Sequence, residues 1–216
     1  ENELIGLAVE MLITPRYRKQ YRYYQTLFLD EPAKRRFARA YNKAADYHFF
    51  TVDSNEFRSA IQAGYRDEAT NRPGFSVPTD PDANTVPIYR LYNLETGRHY
   101  YTANAAEVDS LTHLIPTGSP DFGKKGWRYE KQEGFIYLSF QPGTQEIYRL
   151  YNKNTGVHLY TESADQKDYI LRTFPDSWEL HSSFGFAFPD APSSSPFTAS
   201  LLPPDALDAI SPTVAT

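Results

Sequence analysis

The chain has 216 residues, and its 17 Tyr, 14 Phe and 2 Trp favour β-strands, because aromatic rings pack well on pleated, half-buried surfaces. It contains no cysteine, which excludes disulfides, thiolate nucleophiles and cysteine-ligated metal sites. The net charge of −5 disfavours nucleic acid as a partner, and no apolar run approaches the roughly 20 residues that span a bilayer. We therefore expect a mainly β chain with no nucleic-acid partner and no membrane span.

The first 36 residues predict a helical segment ahead of the β domain. Apolar residues recur at helical spacing over residues 2–13, and Thr14-Pro15 is typical of an N-cap and the first position of a second helix. Residues 16–24 are basic and rich in tyrosine, a pattern that can follow a phosphate backbone. Because the whole chain is acidic, we instead expect a helix that packs its tyrosines on the β domain and turns its basic side chains outward.

One segment then recurs three times at a fixed phase. It reads YNKAADYHFFT over residues 41–51, YNLETGRHYYT over residues 92–102 and YNKNTGVHLYT over residues 151–161. Three copies of one segment at a similar spacing along the chain indicate a repeat architecture. The phase-locked positions are an arginine (Arg39, Arg90, Arg149), an asparagine (Asn42, Asn93, Asn152), a histidine (His48, His99, His158) and a threonine (Thr51, Thr102, Thr161).

Each unit predicts the same order of elements, β-β-α-β-β. Two strands flank a turn, and the Thr-Gly pairs at 96–97 and 155–156 supply its positive-φ residue, whereas the first unit has residues 43–46 there. A capping box then predicts a short helix in each unit. Two short strands around a glycine complete the unit. The predicted N-caps are Asp53, Asn104 and Ser163, and their partners in the capping boxes are Glu56, Glu107 and Gln166.

The predicted fold class is mainly β with short helices, built from repeats at residues 37–77, 87–139 and 146–189. Three four-stranded units favour a pseudo-threefold closed assembly of the β-trefoil type, with N-terminal helices over residues 1–36; a small propeller is the alternative. Residues 190–216 are rich in Pro and Ser, and they predict a tail that is disordered or lies on the surface.

The YNxxTGxHxYT unit, followed by a helix and a strand pair, resembles a tandem-repeat family of unknown function found in secreted bacterial and fungal proteins. The resemblance covers roughly residues 37–189. It implies an extracellular (secreted) accessory module that binds sugar or a surface polymer. It brings no catalytic residues to transfer.

The repeat histidines are the candidate metal ligands, because three imidazoles brought to one axis can hold zinc. Against this, a residue that stabilises its own hairpin recurs once in every unit, and a buried imidazole needs a hydrogen-bond partner. We therefore expect no metal and no cofactor, and we expect each histidine to bond a backbone carbonyl of its own hairpin. The repeat asparagines are expected to start their turns through side chain-to-backbone bonds.

The candidate ligand-binding residues lie around the turns of the second and third units. Sugar sites combine exposed aromatic faces with polar donors and acceptors, although equivalent tryptophans on two strands also suit a core. The predicted site comprises Asn93, Thr96, His99, Asn152, Thr155, His158, Trp127 and Trp178.

No nucleophile elbow, phosphate loop, HExxH or calcium-loop motif is present in the sequence. The sequence therefore predicts a non-catalytic, lectin-like module for a glycan or cell-surface polymer. Two alternatives stay open: a structural secreted protein that self-associates, and a hydrolase whose two carboxylates are distant in sequence.

Overall fold

A computed structural model describes residues 33–69, 74–115 and 117–190, which form a mainly β domain with three short helices. The predicted N-terminal helices, the basic tyrosine-rich stretch and all but the first residue of the predicted tail lie outside these ranges. The strands are β1 Lys34–Arg36, β2 Ala38–Asn42, β3 Tyr47–Thr51, β4 Arg66–Asp67, β5 Phe75–Pro78, β6 Thr85–Asn93, β7 His99–Thr102, β8 Trp127–Tyr137, β9 Gln145–Asn152, β10 His158–Thr161 and β11 Trp178–Pro189, and the helices are α1 Ser54–Gln62, α2 Ala105–Thr112 and α3 Ala164–Thr173.

The strands pair antiparallel in two sheets. Eight strands form one sheet, in which β1, β5, β11, β8, β6 and β7 follow in order and β9 and β10 join through β11; β3, β2 and β4 form the second. Within the described ranges the hydrogen-bonded strands do not close into a barrel. The prediction of a closed assembly is therefore wrong for the strand pairing. The sheet also begins at Lys34, three residues before the predicted boundary, because β1 pairs with β5.

The three hairpins share one register. Strands β2 and β3, β6 and β7, and β9 and β10 each place a tyrosine opposite the repeat histidine. A common register puts equivalent side chains on the same face of each hairpin, because side chains alternate along a strand. The opposed pairs are Tyr41 with His48, Tyr92 with His99 and Tyr151 with His158.

The predicted role of the repeat asparagines is confirmed. In every unit the asparagine Oδ1 accepts hydrogen bonds from the backbone N–H groups two and three residues further on. The chain then reverses through a residue with positive φ, which is Gly97 at 69° and Gly156 at 72°. Asp46 takes this conformation in the first unit, with φ of 47°, so the hairpin forms there without the Thr-Gly pair.

The predicted helix starts are confirmed as well. The side chains of Asp53, Asn104 and Ser163 accept hydrogen bonds from backbone N–H groups in the first turn of α1, α2 and α3. The threonine two residues before each cap in turn accepts the N–H of the cap residue. The sequence Thr-x-Asp/Asn/Ser therefore joins the end of each hairpin to its helix.

The final strand pair predicted for the second and third units is instead one long strand. β8 and β11 run through Gly134 and Gly185, which lie at register shifts in the strand pairing and do not end the strand. Gly185 has φ of 140°, and a Cβ there would lie 2.7 Å from the backbone oxygen of Tyr137. Glycine therefore permits close passage of two backbones, not a turn.

Equivalent side chains from the three hairpins meet in the core. Phe50, Tyr101 and Tyr160 are each at most 1% exposed, and each pair of their rings packs edge to face with centroids 5.5–5.7 Å apart. Aromatic pairs favour this geometry because the positive ring edge faces the negative ring surface. This cluster holds the three hairpins together and fixes where their turns lie.

Candidate functional site

A cavity of about 210 Å³ lies between the turns of the three hairpins. All three repeat histidines line it, which the sequence left open. Both polar and aromatic side chains contribute to its wall. Its lining residues are Tyr47, His48, Asn93, Thr96, Arg98, His99, Trp127, Thr155, Gly156, Val157 and His158.

Arg98 holds the three turns around the cavity. It stands in the turn of the second unit, and its Nη1 donates to the Thr155 carbonyl at 2.8 Å and its Nη2 to the Ala45 carbonyl at 2.9 Å. These carbonyls belong to the turns of the third and first units. One guanidinium therefore bridges all three turns, which the sequence did not predict because the equivalent positions hold Tyr47 and Val157.

Nε2 of each repeat histidine lies within 3.3 Å of a side chain that stands on, or directly after, the strand that follows the helix of its unit. Nε2 of His48 lies 3.1 Å from Glu68, and Nε2 of His99 lies 3.2 Å from Glu130. The prediction of backbone-carbonyl partners is therefore wrong. Glu68 follows β4 and Glu130 lies within β8, and both approach the first strand of the hairpin in their own unit.

In the third unit a second histidine replaces the glutamate. His158 Nε2 lies 3.3 Å from His181 Nδ1. His181 falls at a register shift in β11, between the residues that pair with β9, and Glu130 falls at the matching shift in β8. A bulge adds one residue to the strand and turns the side chain of that residue toward the hairpin. The added residue shifts the alignment of the units by one position, so the sequence does not reveal the partner of the histidine.

Burial keeps the cavity histidines neutral. It lowers the pKa of His99 to about 4 and that of His158 to about 3, and in His158 the nearby Arg149 adds to the effect. The pKa of His48 is also lowered by burial, against the opposing effect of its bond to Glu68. At neutral pH these rings therefore present one donor and one acceptor each.

Rings from neighbouring units orient two of the histidines. The Phe49 ring packs on His99 with centroids 5.1 Å apart, and the Tyr100 ring packs on His158 at 4.7 Å. Phe49 and Tyr100 each follow the histidine of their own unit by one residue. Each unit therefore places a ring against the histidine of the next unit.

Six of the eight predicted site residues line the cavity; Asn152 and Trp178 do not. Both line a smaller cavity of about 20 Å³, which shares His48, Thr155 and Val157 with the larger one. Trp178 is 5% exposed and packs in a core cluster with Leu150, whereas Trp127 is half-buried. The two equivalent tryptophans therefore differ in burial and in surroundings.

Ion pairs between consecutive units support the hairpins and were missed by sequence reasoning. The Arg90 guanidinium contacts Glu56 of α1 at 2.7 Å, and Arg149 contacts Glu107 of α2 at 3.0 Å. The capping-box pattern assigned these glutamates to their own helix ends. The sequence did contain a signal for these ion pairs, because the arginine and the glutamate each recur at a fixed position of consecutive units.

The carboxylates in these pairs have pKa values below the ordinary range. Burial raises the pKa of Glu107, but hydrogen bonds from Arg149 and Thr102 outweigh burial and lower it to about 2. Glu56 reaches about 2 in the same way, through Arg90 and Lys131. In the described part of the chain no such ion pair joins the third unit to the first, because Gln166 of α3 stands where α1 and α2 have glutamate. Arg39 of the first unit pairs with Glu68 instead.

The residues that the structure describes contain no group of three or more His, Asp or Glu side chains placed to hold a metal ion. Among the same residues no helix is long and apolar enough to cross a bilayer.

The fold and the site define a mainly antiparallel β domain whose hairpin turns enclose a small polar cavity. A family model described as a domain of unknown function (DUF5648) matches residues 36–171 and, in a second match, residues 119–196, so the chain belongs to this family. No significant match is found among curated proteins or among solved structures.

Proposed function

We propose that the domain is a non-catalytic, lectin-like module that binds one unit of a carbohydrate or of a cell-surface polymer in the cavity between the turns. The observation that carries this proposal is the meeting of an indole ring, neutral imidazoles, an amide and hydroxyls on one cavity wall. A sugar ring can pack its apolar C–H face on Trp127. Its hydroxyls can donate hydrogen bonds to, and accept them from, the imidazoles, the amide and the hydroxyls of the wall.

The size of the cavity favours a small ligand. Its volume of about 210 Å³ is below the range of about 300–1,000 Å³ that holds drug-sized ligands. A single sugar residue, or the end of a longer chain, suits this space. The ligand is therefore a terminal or single unit of a polymer, with the remainder outside.

The chemistry of the wall favours binding over turnover. No Asp or Glu side chain is part of it within the described ranges, whereas glycosidases flank the scissile bond with two carboxyl groups. Glu68 and Glu130 contact the histidines at Nε2 and are engaged there. This supports a recognition module over the hydrolase alternative.

We also propose that the three hairpin–helix units are repeats around a pseudo-threefold axis, without a closed barrel. The common hairpin register and the edge-to-face contacts of Phe50, Tyr101 and Tyr160 support this arrangement. The cavity would lie near that axis, at the end formed by the turns. The resemblance to a family of secreted proteins supports an extracellular location.

A second candidate, self-association, has one observation in its favour. Leu138 and Phe140 are 62% and 63% exposed, and the Phe140 ring packs against the Phe186 ring. Exposed apolar side chains grouped in this way can mark a contact between proteins. Sedimentation velocity over a hundredfold concentration range tests it: a constant monomer would exclude it.

Calorimetric titration with a panel of methyl glycosides, supported by a glycan array, tests the carbohydrate proposal. Trp127→Ala should weaken binding at least tenfold, because the ring packs on the sugar face. Tyr129→Ala is the matched control, since Tyr129 lies on the same strand but is 46% exposed and outside the cavity wall. Absence of binding by any glycoside at millimolar concentration would remove the proposal.

A further inference from the structure

We propose that the ligand of this cavity carries a carboxylate, as in a uronic acid residue, and that Arg98 binds it. This inference rests on the proposed carbohydrate function and adds the chemical class of the sugar. It follows from an unbalanced charge in the cavity wall, from the free donors on one guanidinium and from a histidine that is free to accept a hydroxyl.

Arg98 differs from the other inward-facing arginines. Arg39, Arg90 and Arg149 each contact a glutamate at 3.1 Å or less, whereas Arg98 contacts backbone carbonyls and forms no ion pair with any described residue. It is half-buried, and the rest of the wall is formed by neutral side chains. A positive charge held in a neutral cavity attracts an anion.

The geometry of the guanidinium also fits a carboxylate. The two carbonyl bonds use one donor on each Nη and fix the plane of the group. Three of its five N–H donors remain. Arginine donors form a planar fork that matches the two oxygens of a carboxylate, and such charge-assisted bonds are about twice as strong as neutral ones.

The histidines favour an acidic sugar over a simple anion. Nε2 of His99 lies 3.2 Å from Glu130, so the neutral ring has its acceptor at Nδ1, which is buried and has no hydrogen-bond partner among the described residues. An imidazole acceptor receives a proton from a hydroxyl and disfavours a fully charged ion. The ligand should therefore place its carboxylate at Arg98 and its hydroxyls at the imidazoles.

The test compares matched glycosides that differ only in the oxidation of C6. The methyl glycoside of galacturonic acid against methyl galactoside, and the methyl glycoside of glucuronic acid against methyl glucoside, are titrated into the full chain by calorimetry, with the C6 carboxylate free in both acids. We expect at least one acid to bind about tenfold or more tightly than its neutral partner. Raising NaCl from about 0.05 to about 0.5 M should reduce this ratio, because salt screens the charge.

Variants then assign the preference to Arg98. Arg98→Gln keeps a donor for the carbonyls but removes the charge, so the acid-to-neutral ratio should approach one. Arg98→Lys keeps the charge without the fork, and an intermediate ratio is expected. Arg128→Gln is the control, because Arg128 is exposed, lies over the Tyr92 ring and is not part of the cavity wall; it should leave the ratio unchanged.

The outcomes separate this inference from the proposed function. Equal binding of acid and neutral glycosides by the unaltered protein overturns the inference and leaves the carbohydrate function intact. An acid preference that persists in Arg98→Gln also overturns it. Absence of binding by all four glycosides counts against both. If Arg98→Gln does not fold, the wild-type ratio, its salt dependence and Arg98→Lys still decide the matter.

Discussion

The Tyr101 hydroxyl donates to the Phe50 carbonyl at 2.6 Å and accepts from the Phe50 backbone N–H at 2.9 Å. Tyr160 repeats this relationship one unit later, donating to the Tyr101 carbonyl at 2.6 Å and accepting from its N–H at 3.1 Å. One phenol therefore satisfies both backbone groups of the equivalent residue in the preceding unit. This chain of bonds fixes the relative position of the three hairpins.

We expect Tyr101→Phe to destabilise the domain. The variant leaves the Phe50 N–H and carbonyl without their phenol partner in a buried place, at a cost of about 1–3 kcal/mol in the free energy of unfolding. Urea unfolding followed by circular dichroism measures it. Tyr129→Phe, at an exposed tyrosine, is the control and should change stability by less than about 0.5 kcal/mol. Equal stability of both variants would contradict the assigned role of the phenol.

Phe50→Tyr tests the proposed pseudo-threefold arrangement. The third link, from residue 50 to the backbone of Tyr160, is absent because Phe50 has no hydroxyl. A cavity of about 10 Å³ lies beside both rings, which is space on the scale of one water molecule. If the units are related by threefold symmetry, the added hydroxyl should reach that backbone, and the variant should retain or exceed wild-type stability. A loss above about 1 kcal/mol would instead indicate an overpacked core.

Gly185→Ala should be strongly destabilising. The added Cβ would lie 2.7 Å from the Tyr137 oxygen and 2.8 Å from the Ile136 side chain, at a φ that L residues avoid. Overpacking of this kind costs about 1–3 kcal/mol, to which the backbone strain adds. Gly118→Ala is the control, since a Cβ there meets no atom within 4 Å. A melting temperature unchanged in Gly185→Ala would show that β8 and β11 do not pass as closely as described.

Stability should fall as pH drops below about 6.5. His99 has a pKa of about 4 in the folded state, close to Glu130 and Arg90, and an ordinary value of 6.5 when unfolded, so the unfolded chain binds the extra proton in this window. Each such histidine contributes up to about 1.4 kcal/mol per pH unit. Glu56 and Glu107, with pKa near 2, add their own loss below about pH 4.5.

Urea unfolding at several pH values between 7.5 and 5 checks this prediction. His99→Gln should reduce the slope, because the variant has no imidazole to titrate. His113→Gln, at an exposed histidine beyond α2, is the matched control for replacing an imidazole by an amide. A wild-type stability independent of pH over this range would contradict the description of the cavity histidines as buried and neutral.

Local features of this chain were predictable, and contacts between units were not. The asparagine turns and the helix caps involve groups two or three residues apart, so their geometry follows from the local sequence. Arg90 and Glu56, by contrast, lie in different units, and only the folded core brings them together. The capping-box pattern predicted that Glu56 caps its own helix, because no other short-range sequence pattern assigns Glu56 a partner.

The candidate site shows the same division. The residues around the Thr-Gly turns were predicted, and six of them line the cavity. Arg98 was missed because its role depends on two carbonyls in other units. Trp127 and Trp178 could not be separated by sequence, since equivalent strand positions differ in burial only through what packs over them.

The central claim, that a sugar binds among the three turns, is tested most directly by NMR of the imidazoles. With ¹⁵N-labelled histidine, titration with the tightest-binding glycoside should shift the ring resonances of His48, His99 and His158 along one saturable curve. His113, exposed and outside the cavity wall, should stay in place. A bound glycoside that leaves all three cavity imidazoles unshifted would contradict the account.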